Sequence, residues 1–427
     1  MEAHVSKKHS LHIGFVSTRF AGTDGVTLES AKWAEVFEHF GHECYWYAGV
    51  VDNHDACSME VPEAFFNEPA NVELNEKLFR SQQRERALTD EIYRRKEKIK
   101  DTLYQFISDF SIDVIVAENC LSIPMHIPLA VALTELIAET KIPTIGHHHD
   151  FWWERPRFLL SSVRDIIQAS FPPDLPSIRH VVINSMIQTD LAAKRGLSST
   201  VIYNVVDFDV ERPALDEFNS DFRESLGFDS SDLLILQPTR VISRKGIEHS
   251  LYLVKKLQMP SARLVISHSM DDEGSDYGNW ILETAKQQNV PLHLIYNRLH
   301  ETRKYSESGE KLYTLWDVYP HADLVTYPSL YEGFGNAFLE AVYYRKPILV
   351  NRYSVYITDI EPKGFEVIAI DGFLTDRAVE RTKEILLDEK RRAAMTSKNF
   401  EIARKYFSFR VLRRRLSSLL SSFYGEL

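Results

Sequence analysis

One stretch constrains this chain more than any other: residues 327–347, YPSLYEGFGNAFLEAVYYRKP. The β-branched run Ala322-Asp323-Leu324-Val325-Thr326-Tyr327 precedes it and reads as a buried strand, which Pro328 and Ser329 end. Gly333 and Gly335 bracket Phe334, so the backbone can turn tightly and approach a ligand with no Cβ in the way. From Asn336 onward, Ala337-Phe338-Leu339-Glu340-Ala341-Val342 reads as a helix. A strand, a glycine loop and a helix start in succession make an anion pocket, because free N–H groups and the positive end of the helix dipole converge there.

Two carboxylates flank the loop. Glu332 stands immediately before Gly333, and Glu340 follows eight residues after Glu332. With Glu340 two turns into the helix, it stands about 10 Å from the loop at roughly 1.5 Å per residue. That separation is too long for both acids to share one bond-breaking event. It suits contacts with two parts of one long ligand, such as a sugar and a ribose. The plainer reading is a glycine-rich turn with two solvated glutamates.

A second anion-binding unit lies upstream. The strand Leu233-Leu234-Ile235-Leu236-Gln237 runs into Thr239-Arg240-Val241-Ile242-Ser243-Arg244-Lys245-Gly246, followed by a helix. Arg240 offers a rigid fork and Lys245 a point charge, a pair suited to neutralising a diphosphate. Arg244 is an extra cation without an assigned role.

The first half repeats the strand–loop–helix pattern. Leu11-His12-Ile13-Gly14-Phe15-Val16 reads as a first parallel strand, and a turn with Gly22 and Gly25 leads to a helix over residues 28–40. The two glycines do not make the G-x-G-x-x-G of a dinucleotide site. Strands are expected at 44–49, 113–119 and 142–146, with an irregular segment at 52–70 and one long charged helical stretch over 71–110. The strand at 142–146 ends in His147-His148-His149-Asp150-Phe151-Trp152-Trp153, and residues just past strand ends face the ligand crevice of a parallel sheet. Adjacent histidines on extended backbone alternate sides, so at most His147 and His149 could share an ion, and no third ligand is placed. The aromatics could stack on a sugar, but core packing is their commoner fate. Asp207 and Asp209 form a D-x-D pattern, the metal signature of the GT-A glycosyltransferase fold, yet two acids two apart are common in an acidic chain.

Composition narrows the class. The 427 residues suggest two or three domains, and 44% hydrophobic with 26% charged residues is ordinary for a soluble protein. A net charge of -11 argues against a general nucleic-acid binder. No apolar run approaches the roughly 20 residues that span a bilayer. The start, MEAHVSKKHS, has no signal-peptide core, and Cys44, Cys57 and Cys120 have no metal spacing, which together predict reduced thiols in a cytoplasmic protein. The C-terminal helix carries Arg413-Arg414-Arg415, for which a charged face on a packed helix is preferred over contact with a membrane surface.

The run Glu332-Gly333-Phe334-Gly335 with Glu340 resembles the E-x7-E signature of retaining nucleotide-sugar glycosyltransferases of family 4, and further matches extend over most of the chain. The resemblance implies the α/β GT-B fold: two Rossmann-like doubly wound domains facing an interdomain cleft. These would be residues 1–210, completed by a C-terminal helix at 405–427, and residues 211–404. It implies transfer of a hexose, mannose or glucose, from a nucleoside diphosphate sugar to a hydroxyl of a carbohydrate or other small acceptor. Retention, no obligatory metal and no bound cofactor come with it. The expected catalytic set is His149, Arg240, Lys245 and Glu332, with His149 matching the family's histidine–aspartate segment. The expected donor contacts are Gly25, Gly333, Phe334, Gly335, Asn336 and Glu340, with Glu332 on the sugar hydroxyls and Glu340 on the ribose. A GT-B phosphorylase or nucleotide-sugar epimerase would use the same groups.

Overall fold

The computed structural model describes residues 10–22, 24–52, 57–212, 214–270 and 275–425. Most of the N-terminal segment, Thr23 of the first glycine turn, residues 53–56 of the segment expected to be irregular and residues 271–274 lie outside them. The chain divides into two compact units, Met1–Tyr203 with Leu412–Leu427, and Asn204–Val411.

The first unit is built on a seven-stranded sheet. Its strands are β1 (His12–Val16), β2 (Glu43–Ala48), β3 (Ser58–Glu60), β4 (Val114–Glu118), β5 (Thr144–His148), β6 (Ile178–Val182) and β7 (Ser199–Val201). They lie in the order β3-β2-β1-β4-β5-β6-β7, and every pairing is parallel. The connecting helices are α1 (Gly25–His39), α2 (Pro69–Leu78), α3 (Arg86–Phe110), α4 (Ile127–Thr140), α5 (Arg164–Ser170) and α6 (Ser185–Arg195).

Two local expectations are corrected here. The segment expected to be irregular contributes the edge strand β3 and a short 3-10 turn at Pro62–Ala64. The single helical stretch over 71–110 is two helices, α2 and α3, because Pro69 starts the first and the chain breaks between Leu78 and Arg86. On α3, Ile92, Ile99, Leu103 and Phe106 recur at helical spacing and are buried. Lys96 shares that buried stripe and is paid out in charge, bonding Glu97 and, at 2.9 Å, Glu135 of α4.

The second unit has a six-stranded sheet in the order β10-β9-β8-β13-β14-β15, also parallel throughout. Its strands are β8 (Leu233–Gln237), β9 (Ala262–Ile266), β10 (Leu292–Leu294), β13 (Leu324–Tyr327), β14 (Ile348–Asn351) and β15 (Ile368–Ile370). A small antiparallel pair, β11 (Lys304–Tyr305) and β12 (Lys311–Leu312), stands apart from it. The helices are α7 (Phe222–Ser225), α8 (Ile247–Leu257), α9 (Ser275–Gln287), α10 (Leu315–Val318), α11 (Asn336–Tyr343), α12 (Asp376–Leu387) and α13 (Glu389–Tyr406). A last helix, α14 (Phe409–Tyr424), ends in the first unit, where the Tyr424 hydroxyl donates to the Asp113 carbonyl at 3.1 Å.

In both sheets the strand order reverses once, between β1 and β4 and between β8 and β13. Loops leaving the carboxyl ends on either side of such a reversal diverge and open a crevice. In the second unit those are the loops that carry Lys245 and Gly333–Gly335. No helix among the described residues is long and apolar enough to cross a membrane. The apolar stripe of α14, Phe409, Leu412, Leu416, Leu419 and Leu420, is buried, so it offers no apolar face to a lipid surface.

Candidate functional site

In the second unit, Lys245 and Glu332 form an ion pair although 87 residues separate them. Each is only 8% exposed. The Arg244 guanidinium adds a contact to Glu332 at 3.4 Å and donates to the Tyr331 carbonyl at 3.1 Å, so the cation left without a role belongs to the cluster. Burial works to raise the Glu332 carboxyl, but Lys245 and then Arg244 override it and hold the acid below the usual carboxylate range. Burial lowers Lys245, Glu332 opposes that shift, and Arg244 and Arg240 reinforce it. Lys245 and Arg244 thus bear on one buried carboxylate and Arg240 bears on Lys245, so the group keeps excess positive charge beside the glycine loop.

Backbone geometry sets this arrangement. Gly246 has φ +60° and starts α8, and a Cβ there would stand 2.5 Å from the Pro328 carbonyl oxygen. The Leu330 N–H donates to the Arg244 carbonyl at 2.8 Å, so the loops after β8 and β13 are laced together. Gly335 has φ +130°, and the Tyr353 hydroxyl occupies the space a Cβ would need. That hydroxyl donates to the Phe334 carbonyl at 2.7 Å, which fixes the turn that starts α11. Gly335 supplies no side-chain cap, so the start of α11 presents backbone N–H groups, as an anion site requires, whereas at the start of α8 the Ile247 N–H donates to the Tyr277 hydroxyl at 2.9 Å.

Phe334 packs edge-on against Phe407, with ring centroids 5.5 Å apart. Asn336 accepts a hydrogen bond from Asn204 Nδ2 at 2.8 Å. Glu340 is the fifth residue of α11, a little over one turn in rather than two, because the helix begins only at Asn336. It accepts from the buried Tyr319 hydroxyl at 2.7 Å, so the two glutamates of the motif have different partners.

In the first unit, strand periodicity sorts the three histidines. His147 and His149 lie on one side with ring centroids 4.6 Å apart. His148 points the other way, its Nε2 3.0 Å from His180 Nδ1. Strand register then adds a residue that local spacing could not supply. β4 pairs with β5 so that Glu118 is opposite His147. Glu118 is fully buried, with both carboxylate oxygens 3.0 Å from His147 Nδ1 and Oε2 3.5 Å from His149 Nε2. Its one sequence signal is an acid closing the apolar strand run Val114-Ile115-Val116-Ala117-Glu118.

Glu118, His147 and His149 are the one group among the described residues whose ligand atoms converge, all within 4.8 Å of one another. Burial lowers His147, whereas for His149 the hydrogen bond and charge of Glu118, with Glu29 and Asp150 behind, override burial and raise it. Burial would raise Glu118, and the charge of His147 with hydrogen bonds from both histidines overrides it. His149 thus holds a proton more firmly than His147, and one carboxylate serves both rings. Asn119, at φ +58°, supports it: its Oδ1 accepts from the His149 N–H at 3.0 Å, and its Nδ2 donates to Asp150 at 3.2 Å. Arg155 also pairs with Asp150.

The remaining candidates have structural partners. Phe151 stacks on Trp153 at 4.5 Å and the Trp152 indole donates to the Phe171 carbonyl at 3.2 Å, so these aromatics are packed rather than presented to a ligand. Asp209 of the D-x-D pattern pairs with Arg404 at 2.7 Å, and Asp207 accepts from the Asp209 N–H at 3.0 Å. Gly25 is the first residue of α1, capped by Asp24, and a Cβ there would meet nothing within 4 Å. All three cysteines are free, with Cys44 and Cys120 buried and Cys57 exposed.

Residues 218–401 match the family model described as glycosyl transferases group 1. The chain is similar to a mannosylglucosylglycerate synthase of Petrotoga mobilis, 34% identical over 84% of this chain and 86% of the relative. A Thermotoga maritima protein of the same description is 29% identical over 96% of this chain and 99% of its own. Among solved structures, a glycosyltransferase from Rickettsia africae superposes with a TM-score of 0.70 at 11% identity, covering 98% of this chain and 100% of the other. The Anabaena protein Alr3699/HepE, solved with UDP and glucose, gives 0.65 at 14% identity over 97% and 100%.

Proposed function

This chain belongs to the group 1 glycosyl transferases, family 4 with the GT-B fold, and we propose that it moves a mannosyl group, with retention, from a nucleoside diphosphate sugar to a hydroxyl of a glucosylglycerate. The observation that carries the reading is the buried Lys245–Glu332 pair with Arg240 and Arg244 bearing on it, at the reversal point of the second sheet. The name shared by two relatives supports the sugar and the acceptor. The UDP and UDP-glucose bound to the Anabaena protein support a nucleotide-sugar donor.

The reaction breaks the bond between the anomeric carbon and the diphosphate oxygen, whose electron pair stays on the diphosphate. Stabilising that growing anion is the largest demand, and fixed cations with helix N–H groups meet it without reorganisation. Arg240, Lys245 and the start of α11 take that role. Glu332 orders Lys245 and contacts the sugar hydroxyls, and Glu340 contacts the ribose. His149 contacts the donor sugar. The acceptor hydroxyl attacks on the face the leaving group departs from, and its proton passes to the departing phosphate oxygen. No step needs a metal.

The test is incubation with nucleoside diphosphate mannose and glucose donors plus glucosylglycerate, with the product followed by proton NMR. The expected product keeps the donor's anomeric configuration, and a chelator leaves turnover unchanged. Inversion, free sugar or an epimerised donor as product refutes the proposal. Loss of activity with chelator, restored by zinc, would make Glu118, His147 and His149 a metal centre.

A further inference from the structure

A cavity of about 390 Å³ opens in the second unit, at the opposite end of the sheet from the glycine loop. Asp323, which precedes β13, and Pro347, which precedes β14, are in its wall. β13 leads from this wall to Pro328 and the loop beyond it, a rise of roughly 13 Å for a strand of that length. The volume is that of an ordinary small-molecule pocket.

Its charge is unbalanced. Arg223, Arg345, Lys346 and Arg392 line it, and Asp323 is the one carboxylate among its lining residues. That carboxylate is already engaged, accepting from Arg223 at 3.1 Å and from the Leu234 N–H at 2.9 Å. The other cations rest on neutral oxygens. Lys346 donates to the Pro320 carbonyl at 2.8 Å, Arg392 to the Leu386 carbonyl at 2.8 Å, and Arg345 to Ser397 Oγ at 3.2 Å. Burial pushes the Lys346 ammonium down to about 8; Asp323 opposes this, and Arg212, Arg223 and Arg392 add to it. In a chain of net charge -11, a concave site that gathers cations against their mutual repulsion is built for an anion. Guanidinium forks beside an ammonium match the oxygens of a phosphate dianion.

We propose that this cavity is a second anion site, distinct from the glycine loop, that takes a phosphate monoester of hexose size. Arg223, Lys346 and Arg392 hold the phosphate, and the remaining volume holds the sugar ring.

The thermal midpoint of the full chain tests this, measured with inorganic phosphate and with a hexose 6-phosphate against sodium chloride of equal ionic strength. At about 10 mM we expect a rise of at least about 2 °C over chloride, larger for the hexose phosphate than for phosphate. The rise persists in Lys245→Ala and in Lys346→Arg. It is lost in Lys346→Met and in Arg392→Gln, and the half-buried Arg392 decides the matter if Lys346→Met fails to fold. A rise that vanishes in Lys245→Ala places the phosphate at the glycine loop and overturns the proposal. So does a rise matched by chloride, or one that survives both neutral substitutions. Equal shifts from phosphate and hexose phosphate would overturn the assigned ligand size.

Discussion

At the scale of single residues, the proposed chemistry draws on two buried carboxylates, Glu332 beside Lys245 and Glu118 beside His147 and His149. Glu332 is sealed with Lys245, so removing one partner strands the other's charge. Breaking such a pair costs about 3–5 kcal/mol, more than the pair contributes in net stability. Lys245→Met should therefore destabilise the second unit by roughly 3 kcal/mol and cut transfer by at least about 100-fold, the scale of losing one oxyanion donor. The double variant Lys245→Met, Glu332→Gln should recover much of the stability and none of the turnover. Urea denaturation beside initial rates separates the two, and a double variant no more stable than the single would mean the pair is not sealed. Glu118 governs His149 in the same way. In Glu118→Gln the His149 imidazole should lose its proton at lower pH, because burial, the opposing influence, is left in place. A 15N-resolved NMR titration of the histidine rings reads this directly, and an unmoved His149 would assign its proton to Glu29 and Asp150.

At the scale of elements, the glycine loop keeps its turn because Gly335 adopts backbone that other residues do not. Gly335→Ala meets both φ +130° and the Tyr353 hydroxyl, and should cost the second unit about 2 kcal/mol or more, seen as a lowered denaturation midpoint. Tyr353→Phe in that background should restore only part, since it relieves the clash and not the dihedral. Gly25 behaves in the opposite way. It sits at the start of α1 with open space above it, so Gly25→Ala should be neutral or stabilising by up to about 1 kcal/mol. Any fall in transfer by that variant then reports a ligand at Gly25, and unchanged kinetics would remove Gly25 from the donor contacts. Much of this level was legible in advance. Strand, loop and helix around Gly333–Gly335 follow from β-branched runs, glycine spacing and helical periodicity, all local signals. Helix breaks were less legible. The split between α2 and α3 falls in a polar stretch where nothing apolar marks an end.

At the scale of the whole molecule, stability should depend on pH chiefly through histidines buried without a proton. His126 and His180 are each pushed down to about 4, mainly by burial, and His126 Nδ1 accepts the Leu129 N–H that caps α4 at 3.1 Å. Below the unfolded value of about 6.5 the unfolded chain binds protons that these folded side chains refuse, so stability falls with pH. Their contribution is complete above about 6.5, and is lost on descending to about 4, at up to about 1.4 kcal/mol per pH unit for each group. His149 acts with the opposite sign, its contribution present in acid and lost as pH rises through its elevated value. Thermal midpoints between pH 7 and 4.5 should therefore drop steeply, and His126→Asn, which keeps a cap acceptor but cannot titrate, should flatten the slope. A slope unchanged in His126→Asn would remove that residue from the account.

What the amino-acid order determined by itself is whatever neighbours along the chain can impose: the alternation of strands and helices, the turns that only glycine allows, and the loops carrying Arg240, Lys245 and Glu332. What only the tertiary structure decided is which distant groups share a space. Glu118 meets His147 across 29 residues because β4 pairs with β5 in one register. Lys245 meets Glu332 across 87 because β8 and β13 are sheet neighbours at the reversal of strand order. The cations around Lys346 come from segments as far apart as Arg223 and Arg392. Periodicity and spacing carry no record of such meetings, since sheet order and register are settled by burial of the whole core rather than by any one segment.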